Sequence, residues 1–121
     1  MSEGGWYRAN LIPDKLTFLA FNSLQLNDLN NHKSIVEKLL ELEWLREQLN
    51  NAGENEKFII EMHIYETASW WLGSYPNWKE DDYQKKFFDL MEKYHDRILF
   101  EITGHDHLAG LRTHQMNNST E

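Results

Sequence analysis

The chain has 121 residues, enough for one domain of ordinary size and no more. Hydrophobic residues make up 40% and aromatics 13%, which excludes wholesale disorder. A formal net charge of −8 repels phosphate backbones and excludes a nucleic-acid coat protein.

Other classes fall away on single features. There is no Cys, so disulfides and thiolate zinc sites are excluded for this chain. No apolar run approaches the roughly 18 residues of a membrane span. The opening residues, Met1 to Trp6, contain no signal-peptide apolar core.

The elements follow in chain order. Trp6–Leu11 alternates imperfectly and reads as a strand. Pro13-Asp14 marks a turn, and Leu16–Phe21 is a short apolar run of the buried-strand kind. Together they predict a hairpin. Asn27 to Lys33 is polar and reads as a loop. Ser34 is placed to cap a helix, with Glu37 three residues later as in a capping box. Ile35, Leu39, Leu42, Leu45 and Leu49 recur three or four apart and form its apolar face. Asn50 to Gly53 ends it.

Phe58-Ile59-Ile60 is too short a run for a helix and reads as a buried strand that delivers Met62-His63. Residues 64–79 hold Trp70, Trp71 and Trp78 without periodicity, as in a long loop with packing aromatics. Asp81 to Arg97 reads as a second helix, with Tyr83, Phe87, Leu90, Met91 and Tyr94 on one face. Ile98–Thr103 is a further strand, and Ala109–Thr113 a last one. The alternation of strands and helices predicts an α/β fold.

Chemistry concentrates at Gly104-His105-Asp106-His107, directly after a predicted buried strand. A glycine there permits positive φ and a sharp turn. Two histidines one residue apart on a tight loop aim imidazoles at neighbouring points. His63 also ends an apolar strand, and α/β sheets place their sites at such ends. Imidazole suits borderline metals of the Zn and Fe kind. His32, His95 and His114 lie in polar or helical settings and read as solvated.

Gly104-His105-Asp106-His107 downstream of a lone strand-ending histidine resembles the last motifs of the calcineurin-like metallophosphoesterases. The likeness extends toward the acid sphingomyelinase-like branch. It runs through Gly5-Trp6-Tyr7, Ile12 to Leu16, Phe21-Asn22-Ser23, Leu42 to Leu45 and Lys57 to Ile60. It implies that residues 1–114 are the C-terminal half of a four-layer αββα sandwich, with 115–121 a polar tail. It further implies a dinuclear site for hydrolysing phosphoesters, with a phosphodiester lipid, a nucleotide or a polyphosphate as substrate. His63 and His105 would bind one divalent ion of the Zn, Fe or Mn class, and His107 the other. Bound metal would also bring positive charge that an acidic protein otherwise lacks.

The family's earlier Asp-x-His, Gly-Asp and Gly-Asn-His motifs are absent. The resemblance therefore implies that the rest of the site comes from a missing N-terminal half or a partner chain, and that the isolated chain is inactive or nearly so. The alternatives are a non-catalytic assembly module with the same fold, and a mononuclear metal-binding protein using the three histidines. Two departures stand out. Ile64-Tyr65-Glu66 replaces the two prolines and glycine usual in the branch. Asp106 stands where Thr is common; its carboxylate either supports a metal ligand or is solvated, and solvation is the expectation. Sequons at Asn117 and Asn118 lean toward a secreted or lysosome-like parent.

Overall fold

The computed structural model describes residues 5–26, 35–67, 78, 83–113 and 115. Four strands form one mixed sheet: β1 (Tyr7–Ile12), β2 (Leu16–Phe21), β3 (Lys57–Met62) and β4 (Ile98–Thr103). Two helices, α1 (Ile35–Asn50) and α2 (Tyr83–Lys93), supply the crossovers. The fold is mixed α/β, as the alternating pattern predicts. β1 pairs antiparallel with β2, and β2–β3 and β3–β4 pair parallel.

The hairpin forms where Pro13-Asp14 predicts it. Lys15 N–H donates to the Ile12 carbonyl at 3.1 Å, and Asp14 sits at φ 58°. Pro then a left-handed residue is the arrangement a type II turn requires.

The sheet has two unlike faces. Leu19 and Phe21 of β2, and Phe58, Ile60 and Met62 of β3, join Leu42, Leu45, Leu49, Tyr83 and Phe87 in one buried cluster. Both helices therefore cover the same face. Burying each such side chain contributes about 1.5–3 kcal/mol. The cross-strand partners Tyr7–Ala20, Ala9–Phe18, Phe18–Ile59 and Ile59–Phe100 point the other way. Tyr7, Phe100 and Ile102 on that side are about half exposed. No element among the described residues covers it, although parallel strands normally bury both faces.

α1 closes at Asn50, where Asn51 N–H caps back to Glu47 at 3.0 Å. Leu42, Leu45 and Leu49 are buried as their spacing predicts, whereas Leu39 lies toward solvent. The same helix buries Glu41, whose carboxylate accepts the Asn22 N–H. Burial pushes Glu41 up to about 7 despite that hydrogen bond.

Three expectations are corrected or fall elsewhere. α2 stops at Lys93 rather than Arg97, because Tyr94 to Arg97 turns back so that Arg97 N–H meets the Tyr94 carbonyl at 2.9 Å. Ala109–Thr113 forms no strand: the segment is irregular and lies against the cleft beside β4 without extending the sheet. The Ser34 cap, the Asn27–Lys33 loop, Trp70, Trp71, His32, His114 and both sequons lie outside the described residues. Trp78 is buried and packs edge-on against Phe87, as a packing aromatic should. Among the described residues no helix is long and apolar enough to cross a membrane.

Candidate functional site

β3 and β4 are parallel neighbours, so the residues that follow them emerge at one end of the sheet. His63 follows β3 and is exposed. His105 follows β4 by one glycine and is half-buried. Their rings meet edge-on, with centroids 5.5 Å apart and planes at 83°.

Gly104 makes this approach possible, for a reason other than the expected one. Its φ is not positive; the left-handed residues are His105 (φ 78°) and His107 (φ 55°). What Gly104 supplies is space. A Cβ there would lie 3.1 Å from His63 Nδ1 and 3.5 Å from Cε1. Its N–H also donates to the His63 carbonyl at 3.0 Å, tying the two loops backbone to backbone.

The loop after His63 is anchored on both sides of one residue. Ile64 N–H donates to Ser23 Oγ at 2.8 Å, and the Ile64 carbonyl accepts Trp78 Nε1–H at 3.0 Å. Met62 and Ile64 are buried. His63 is thus a solvent-facing side chain between two fixed points.

Asp106 is not solvated, contrary to expectation. Its side chain is 6% exposed and accepts the Tyr65 hydroxyl. The Arg112 guanidinium stands 3.5 Å from the same carboxylate and stacks over the Tyr65 ring, 3.1 Å from its centre. Beyond this wall lies a cleft of about 380 Å³, lined by Tyr65, Glu66, Phe88, Glu101, Leu111 and Arg112. Burial, and then the neighbouring Glu66 carboxylate, push Glu101 up to about 7. His63, His105 and His107 do not line this cleft.

The pair suits a divalent ion in part. Two imidazoles bound to one tetrahedral ion through bonds of about 2.0–2.1 Å place their ring centres roughly 5 Å apart, close to the separation here. His107 does not complete the set. Among the described residues no three His, Asp or Glu side chains come together as a metal-holding group. The structure therefore brings the rings of His63 and His105 side by side, without a third such side chain completing a group among the described residues.

Sequence reasoning missed Tyr65 and Arg112. Tyr65 was noticed only within the Ile64-Tyr65-Glu66 departure, and nothing in the local pattern marks Arg112. Ser23 was visible only within Phe21-Asn22-Ser23.

No family model matches the chain, and no curated protein matches it.

Proposed function

We propose that this chain supplies the C-terminal part of a metal-dependent phosphoester hydrolase of the calcineurin-like type. The observation that carries the reading is the edge-on pair of His63 and His105 on loops from adjacent parallel strands, with Gly104 leaving room for one ring against the other. Two imidazoles and no thiol favour a borderline divalent ion. Such ions, when bound, supply Lewis-acid polarisation of a phosphoryl oxygen and a water of lowered pKa.

The chain's own residues bind and orient. The Ile64 backbone fixes the root of His63 through Ser23 and Trp78. The Gly104 N–H sets the distance to His105. The uncovered face of Tyr7, Phe18, Ile59, Phe100 and Ile102 supports a second layer of the sandwich packing there, which would bring the remaining ligands. The same face favours the other reading, an assembly module without catalysis.

Zinc titration followed through the histidine ring resonances separates the two. The hydrolase reading expects His63 and His105 to shift together, the response to vanish in His105→Ala, and a chromogenic phosphodiester to stay near background with this chain alone. Zinc that leaves both rings unmoved would sink it and leave the assembly module.

A further inference from the structure

We infer that Tyr65, Asp106 and Arg112 form a clamp that positions the two histidine loops against each other. This deepens the hydrolase reading and rests on it for its purpose, though not for its geometry.

The turn that carries His105 is held in an unfavourable shape. Left-handed backbone is disfavoured for any residue with a Cβ, yet both residues flanking Asp106 adopt it. Such conformations persist only where the surroundings over-determine them. Here the surroundings meet at the Asp106 carboxylate, which turns away from solvent between the two histidines.

Its partners come from two separate parts of the chain. Tyr65 lies two residues beyond His63 and 41 positions from Asp106. It is 1% exposed, so its hydroxyl has a fixed origin. Arg112 lies on the segment leaving the turn. Hydroxyl to carboxylate, carboxylate to guanidinium, and guanidinium to ring face close a triangle. Charge-assisted contacts to a carboxylate are strong and directional, and a guanidinium on an aromatic face adds to them. Through that triangle the His63 loop and the His105 turn are tied at side chains as well as at the backbone. Without it, His105 and His107 would relax toward ordinary φ and the His105 ring would rotate off His63.

Tyr65, Asp106 and Arg112 are positioning residues, not ligands. Hydrogen-bond partners that orient metal ligands typically govern affinity ten- to a hundredfold. Three variants test the clamp. Tyr65→Phe keeps the ring and its stack but removes the donor. Asp106→Asn keeps an acceptor for that donor. Asp106→Ala removes it. The readouts are the proton contact between the His63 and His105 rings in the metal-free chain, the zinc affinity by competition, and the unfolding midpoint.

The clamp expects Tyr65→Phe and Asp106→Ala to lose the ring contact and at least tenfold in zinc affinity while the helical signal persists. Asp106→Asn should recover most of both. An intact ring contact in Tyr65→Phe overturns the proposal, as does Asp106→Asn behaving no better than Asp106→Ala. A wild-type chain that binds no zinc would count against the hydrolase reading alone, because the ring contact still judges the clamp.

Discussion

The two ends of the β3–β4 strand pair are built differently. At the N-terminal end, Glu56 is buried and fully engaged. It accepts from Thr17 of β2, from Arg8 of β1 and from the Gly53 N–H at 3.1 Å. Burial alone would raise its pKa, but these donors more than offset that and hold it below the usual carboxylate range. Lys57 donates to the Asp96 carbonyl at 2.6 Å, and Arg97 to that of Ala52 at 3.1 Å. At the C-terminal end stand two left-handed histidines, an exposed imidazole and a glycine whose added methyl would crowd the His63 ring. One end satisfies its charges; the other holds backbone strain and a pair of imidazoles in place. The stapled charges and the proposed site occupy opposite rims of one sheet, as parallel sheets commonly arrange them.

Breaking the stapled end should give the largest effect. Glu56→Ala leaves Thr17, Arg8 and Gly53 without their shared acceptor, at a cost of roughly 3 kcal/mol. The thermal midpoint should fall by roughly 10 °C, while the ring contact between His63 and His105 survives. Loss of that contact together with the midpoint would mean the two rims are one unit.

Glu41 sharpens the comparison from inside α1. Its folded pKa, about 7, lies above its ordinary value of 4.5. The stability held by the neutral carboxyl is full below pH 4.5 and is lost as pH rises through 7. Glu41→Gln keeps an acceptor for Asn22 and removes the ionisation. Its stability advantage over wild type should widen by roughly 2 kcal/mol between pH 5 and pH 8. Denaturation curves at the two pH values check this; a pH-independent difference would refute it.

The smallest effect belongs to the strained rim. Gly104→Ala places a methyl against His63 Nδ1. His63 is exposed and can swing aside, so the midpoint should move little. Zinc affinity should fall about tenfold, or about 1.4 kcal/mol. A variant that binds zinc as wild type does would show that the close approach of Gly104 has no bearing on the pair.

Legibility in the sequence followed how local each cause is. β2 and β4 have the bounds their apolar runs predict, because a short apolar run ending at a polar residue or a glycine carries its own limits; the burial expected of β4 does not follow, since most of its residues are exposed. The end of α1 was readable from Asn50 to Gly53 for the same reason. His63 and His105 were legible as strand-ending histidines. The reason for Gly104 was not, since the steric need comes from a ring 41 residues earlier on another loop. Asp106 looked solvated because its neighbours in the chain are polar, and the buried Tyr65 hydroxyl that donates to it is remote. Ala109–Thr113 has strand-like composition, but composition does not supply a partner edge.

Strand order in the sheet repeats strand order in the chain, β1-β2-β3-β4. A polypeptide emerging from the ribosome can therefore add each new strand to an edge that already exists, with no earlier element displaced. The hairpin and its turn come first, and the Glu56 staple closes as β3 arrives. The imidazole pair is completed last, because His105 follows β4. During synthesis the sheet would be framed before its histidine rim exists, and a nascent chain stalled before β4 would carry His63 without its companion.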